Sequence, residues 1–156
     1  MQIADFLSPE NVFVDLAPAS KAAVLARLAD LAGRRLGRPG DEILELLAAR
    51  ERLGSTGIGE GVAIPHARVP GLRQPVGLLA RLASPVPFEA IDDVPVDMVF
   101  VLLLPEEGAG AHLNVLACIA RQLRASQVRE AMRLAGDAAQ LYAAAVTEPA
   151  AAPGRA

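Results

Sequence analysis

RERLGSTGIGEGVAIPHAR, residues 50 to 68, is the stretch whose reading decides how this chain folds. It holds Gly54, Gly57, Gly59 and Gly61, a Ser55-Thr56 pair and a Pro65-His66 dipeptide. Glycines at near-regular spacing suit a backbone that takes φ > 0 and lets other groups approach its amides, a pattern that neither a plain helix nor a plain strand tolerates. The run closes in Val62-Ala63-Ile64, a β-prone segment, and Pro65 fixes the backbone just before an imidazole. The expectation is a rigid strand end presenting one titratable side chain, His66.

Toward the N-terminus, Asp41 starts a helix through Ile43, Leu44, Leu46 and Leu47 to about Leu53, which delivers Arg50 near its end. Before it, Pro39-Gly40 is a turn, and Ser20 caps a helix to about Arg35 with Val24, Leu25, Leu28 and Leu31 as its apolar stripe. Gly33 or Gly37 ends that helix. Val12-Phe13-Val14 reads as a strand, and Ser8-Pro9-Glu10 as an N-cap followed by a first-turn proline.

Toward the C-terminus, Val69-Pro70-Gly71 is a turn and Val76 to Leu82 a buried strand, with Asp92-Asp93 marking a further turn. Met98 to Leu104 is apolar on both faces, which places it centrally in a sheet. Ala111 to Arg124 is helical, with Leu113, Leu116, Ala117, Ala120 and Leu123 on one face. Ser126 caps a helix to Leu134, and Asp137 caps a last one to about Val146. Strands separated by helices predict a single-domain α/β sandwich over residues 1–147, with 148–156 as a frayed tail.

Composition bounds the function. The chain has 156 residues, 53% hydrophobic and 3% aromatic with no Trp, so the core is aliphatic. A net charge of -3 argues against nucleic acid as a partner. VPVDMVFVLLLP is broken by Asp97 and Pro105 and falls short of a membrane span, and one cysteine, Cys118, points to a reducing compartment, hence the cytoplasm.

The chemistry rests on few residues, because the chain has two histidines, His66 and His112. His112 opens a helix after Gly108-Ala109-Gly110, where unsatisfied amides favour an anion, so phosphate suits this pair better than a metal. Two histidines and a distant cysteine make no zinc site, and the glycine run lacks the Gly-Lys-Ser/Thr ending of a P-loop. No cofactor is expected. A nucleophilic imidazole is open to His66, as is the plainer reading of an exposed loop histidine. Arg50 could equally be one of a solvated Arg-Glu-Arg run, His112 a helix cap and Glu60 a loop carboxylate.

Three segments together resemble a known family: RERLGSTGIGEGVAIPHAR, FEAIDDVPVDMVFVLLLP at Phe88 to Pro105, and the AHLNVLACIARQL helix. The chain is similar to the enzyme IIA domains of the bacterial phosphoenolpyruvate-dependent phosphotransferase system, fructose and mannitol class, most of all the nitrogen-regulatory branch. The resemblance implies a mixed sheet covered by helices. It implies that His66 accepts phosphate from HPr or an HPr-like carrier of the nitrogen branch, that His112 supports the phosphate, and that Arg50 stabilises its charge. Ser55 and Thr56 match the family's loop hydroxyls. Glu60 stands where regulatory members often carry Asn and some sugar-class members Glu, and Arg68 is expected beside Ser55 and Thr56 on the partner face. The partners implied are regulatory targets or a sugar-permease subunit, and a phosphorylation-independent binding protein is the third alternative.

Overall fold

A computed structural model describes residues 1–149; the expected tail falls mostly on 150–156, outside the described residues. A 3-10 turn at Ile3–Asp5 leads into β1 (Leu7–Leu16), followed by α1 (Lys21–Leu36) and α2 (Gly40–Arg52). The glycine stretch supplies β2 (Gly57–Gly59), β3 (Val62–Ala63) and β4 (His66–Val69); β5 (Val76–Val86), β6 (Val96–Pro105), α3 (Ala109–Arg124), α4 (Ser126–Leu134) and α5 (Ala138–Val146) complete the chain.

One mixed sheet runs in the order β1-β5-β6-β3-β2, with β4 also pairing with β6. Strand β6 is its axis: β5 lies antiparallel on one side, and β3 and then β4 lie parallel on the other. The alternation of β6 explains the layers. Val99, Val101 and Leu103 face Val24, Leu28, Ile43 and Leu47 of α1 and α2. Met98, Phe100, Leu102 and Leu104 face Val115, Ile119, Met132 and Leu141 of α3, α4 and α5. A strand covered on both faces reads as a near-continuous apolar run, and from Met98 to Leu104 this one does. The fold is the expected α/β sandwich, an open mixed sheet flanked by helices.

Local chemistry sets the ends. Ser20 accepts the Ala23 amide at 3.1 Å and Asp137 accepts the Gln140 amide at 2.8 Å, so these two of the expected caps are in place. Gly37 closes α1 in the left-handed region at φ 67°. Gly77 of β5 is required by space: a Cβ there would lie 2.5 Å from the Phe100 ring.

Four expectations are corrected. Ser8-Pro9-Glu10 starts no helix; it lies inside β1, an edge strand, where the pairing with β5 shifts register between Leu7 and Val12. A proline without an amide proton is accommodated at such an irregular edge. Ser126 is the first residue of α4 rather than its cap, and Ala125 holds the N-cap position with no side-chain bond. The glycine run does admit a strand, since Gly57 and Gly59 pair with Ala63 and Val62 in a short hairpin. Finally, His66 opens a strand instead of ending one: Ile64-Pro65 interrupts the line, and β4 resumes it from His66 opposite Leu102.

Candidate functional site

Arg50 and His66 meet because α2 ends beside the start of β4. The Arg50 Nε donates to His66 Nε2 at 3.3 Å, and its Nη1 donates to the Gly54 carbonyl at 2.9 Å. The other ring nitrogen of His66, Nδ1, lies 2.9 Å from the Ile64 carbonyl. A carbonyl only accepts, so Nδ1 carries the proton and Nε2 keeps a lone pair. Burial holds the His66 pKa below its ordinary value of 6.5, and the Arg50 charge lowers it further. The Ile64 bond and the more distant Glu51 charge oppose this only in part, so the ring is neutral near pH 7.

His112 sits in the first turn of α3, whose N-cap, Gly108, is left-handed at φ 92° and offers no side chain to the free amides. The imidazole is 6% exposed, and neither ring nitrogen has a hydrogen-bond partner. A buried polar group without a partner costs stability, about 1–3 kcal/mol, so its presence needs an account. Both histidines line one cavity of about 550 Å³ together with Arg50 and Arg68, and Leu46, Leu53, Leu104 and Leu113 supply much of its wall. Leu53 and Leu113 are 84% and 69% exposed at that mouth.

The remaining expected residues are placed differently. Ser55 donates to the Phe88 carbonyl at 2.6 Å and accepts the Gly57 amide at 3.1 Å, so its hydroxyl is committed inside the loop. Thr56 is buried, and both its hydroxyl and its amide donate to the Glu51 carboxylate. Both line a smaller cavity of about 200 Å³ on another side of His66. Arg68 is exposed on β4. Glu60 lines neither cavity around His66. It forms the tip of the β2–β3 hairpin at φ 59°, its amide donating to Asp92 at 2.9 Å and its carbonyl accepting from Arg133 at 2.7 Å. Arg133 in turn bridges to Asp97 at 3.0 Å.

Sequence reasoning passed over Glu51 and Lys21. Lys21 pairs with Glu51 at 2.8 Å and reaches the Phe88 carbonyl at 3.3 Å. The only signal was a carboxylate beside Arg50, which any solvated helix end also shows. Among the described residues no group of three or more His, Cys, Asp or Glu side chains is arranged to hold a metal ion. No helix among them is long and apolar enough to cross a membrane.

The open mixed sheet flanked by helices is the fold of enzyme IIA-type proteins of the phosphotransferase system. The crystal structure of the nitrogen regulatory protein IIA-Ntr from Neisseria meningitidis superposes with a TM-score of 0.86 at 36% identity, covering 92% of this chain and 98% of that one. The family model described as phosphoenolpyruvate-dependent sugar phosphotransferase system, EIIA 2, matches residues 5–145, and the chain belongs to that family. A nitrogen regulatory protein of Bradyrhizobium diazoefficiens is 44% identical over 97% of this chain and 99% of its own length. Another from Pseudomonas aeruginosa is 41% identical over 91% of this chain and 93% of its own.

Proposed function

We propose that this protein is a phosphocarrier that takes a phosphoryl group from an HPr-type protein onto Nε2 of His66 and acts mainly as a regulator through its phosphorylation state. The observation that carries the reading is the pair of bonds on the His66 ring, Nδ1–H to the Ile64 carbonyl and Nε2 facing Arg50. The Nε2 lone pair attacks phosphorus in line, the new N–P bond forms, and the bond to the donor nitrogen breaks with its electrons returning to the donor. Nδ1 keeps its proton throughout, with the Ile64 carbonyl stabilising the charge that grows on the ring.

Arg50 must leave the lone pair for the phosphoryl oxygens, which its Nη1 anchor on Gly54 allows as a short swing of Nε. His112, with two unused nitrogens, then gains the partner it lacks, a phosphoryl oxygen. Donors held this near the reacting centre supply most of the stabilisation such a transfer needs. Ser55 and Thr56 support the loop, Arg68 lies at the rim where a partner approaches, and Glu60 stands apart. The role belongs in the cytoplasm, which one unpaired cysteine also suits.

The regulatory assignment draws support from relatives named nitrogen regulatory protein at 44% and 41% identity. Adding nearly two negative charges at a cavity whose wall includes the exposed Leu53 and Leu113 changes what that face can bind. The test is incubation with phosphoenolpyruvate, enzyme I and each HPr-type carrier, followed by mass measurement and partner affinities for the bare and phosphorylated forms. The expected result is one acid-labile phosphoryl group and a large affinity difference for a partner covering His66. Equal affinities combined with rapid transfer to a fructose- or mannitol-type permease subunit would replace regulation with sugar transport.

A further inference from the structure

Glu51 plays no part in the transfer just described, yet its side chain is 6% exposed and meets three donors. One carboxylate oxygen accepts the Thr56 hydroxyl, and the other accepts the Thr56 amide at 3.2 Å and the Lys21 ammonium at 2.8 Å. Lys21, at the first position of α1, also reaches the Phe88 carbonyl at 3.3 Å and lies 5.0 Å from the centre of the Phe88 ring. Ser55 donates to that same carbonyl. A buried carboxylate is tolerated when it is paired and both its oxygens are hydrogen-bonded, and here both are.

What the cluster holds is the turn from Gly54 to Gly57, and that turn aims both working side chains. Its Gly54 carbonyl takes Arg50 Nη1 at 2.9 Å. Its Thr56 carbonyl takes the Ile64 amide at 3.0 Å, and the Ile64 carbonyl takes His66 Nδ1 at 2.9 Å. We infer that Glu51, anchored by Lys21, is a positioning residue that sets the tautomer of His66 through the Thr56–Ile64 link and the aim of Arg50 through the Gly54 carbonyl of the same turn. For its effect on rate the inference rests on the phosphocarrier reading; for its effect on the imidazole it does not.

Glu51 could act instead by charge alone, and Glu51→Gln separates the two. A glutamine oxygen accepts the Thr56 amide while its nitrogen donates to the Thr56 hydroxyl oxygen, so position survives and charge does not. The experiment records the imidazole 15N shifts of the unphosphorylated protein and the rate of phosphoryl acceptance from an HPr-type carrier. It compares wild type, Glu51→Ala, Glu51→Gln and Thr56→Val. In Glu51→Ala we expect the single Nδ1–H tautomer of His66 to give way to a mixture, and acceptance to slow on the order of 10²-fold, the scale of an ångström of misplacement. Glu51→Gln should recover the single tautomer and most of the rate, and Thr56→Val should fall between.

A folded Glu51→Ala with the wild-type tautomer and rate overturns the inference, and a Glu51→Gln as impaired as Glu51→Ala overturns it in favour of charge. Should Glu51→Ala not fold, Thr56→Val decides: a tautomer mixture and slower transfer support positioning, and wild-type values on both counts overturn it. If wild type takes no phosphate at all, the phosphocarrier reading falls, while the 15N comparison still decides the positioning by itself.

Discussion

His66 and His112 line one cavity and are held in opposite ways. His66 is half-buried on a strand, with both ring nitrogens occupied, one by a backbone carbonyl and one by Arg50. His112 is more deeply buried on a helix, with neither nitrogen occupied. The first arrangement fixes a tautomer before any substrate arrives; the second leaves hydrogen-bonding capacity unspent at a cost in stability. The difference teaches that preorganisation here is uneven. On the proposed phosphocarrier reading, the nucleophile is set in advance, whereas the second imidazole gains a partner only when a phosphoryl group is present.

The harshest test of this division is His66→Ala, for which we expect complete loss of acid-labile phosphate from a protein that still folds; undiminished label would move the acceptor elsewhere. Next comes Arg50→Lys, which keeps charge but loses the guanidinium fork that spans Nε2 and the Gly54 carbonyl. Transfer should slow about 10²-fold, as when one fixed oxyanion donor is removed, with stability changed by no more than about 0.5 kcal/mol. A Lys variant that melts much lower yet transfers normally would make Arg50 a structural residue.

His112→Ala should still take up phosphate, on the order of 10-fold more slowly, and release it at an altered rate. His112→Leu sharpens the contrast in calorimetry, because it fills the same space without a stranded polar group. We expect it to gain about 1 kcal/mol, raising the midpoint by about 3 °C, while impairing transfer. A loss of stability would mean that His112 is satisfied in the resting protein.

The smallest effect concerns pH. Because burial holds the His66 pKa below 6.5, the unfolded chain binds the proton first as pH falls, so stability contributed at this site is present above 6.5 and lost below it, down through the folded pKa. His66→Ala should therefore flatten the acid side of the stability profile slightly, and phosphoryl acceptance by wild type should persist somewhat below pH 6.5 before failing. A rate that halves well above 6.5 would contradict a depressed pKa.

The layers of the fold were legible because β6 and the stripe of α1 are strong local signals; α3 lies a face off the expected one, since it buries Val115, Cys118 and Ile119 and leaves the expected Leu113 and Ala117 exposed. An uninterrupted run from Val96 apart from Asp97 leaves a strand few places but the centre. Ser8-Pro9-Glu10 misled for a local reason as well: the triplet is a good helix start, and only pairing with distant β5 makes it a strand. The two histidines and Arg50 were visible through the motif around them. Glu51, Lys21 and the Phe88 carbonyl were not, since their link spans α1, the end of α2 and the chain after β5, a separation of up to 67 residues. Thr56 was expected on the partner face and is instead buried, its amide and hydroxyl turned inward onto Glu51.

The seating of His66 next to the sheet's axial strand has a consequence in time. The Leu102 amide donates to the Pro65 carbonyl at 2.9 Å and sits in the strand covered by helices on both faces, so its proton should exchange with solvent only when the whole molecule unfolds. The amides from Glu107 to Ala111, at the uncapped start of α3, have no such cover and should exchange by local opening. The surroundings of His66 and of His112 thus keep different clocks: the first is renewed with each global unfolding, the second with each fraying of one helix turn. Phosphorylation should slow the second clock directly and the first only by as much as it raises the stability of the whole fold.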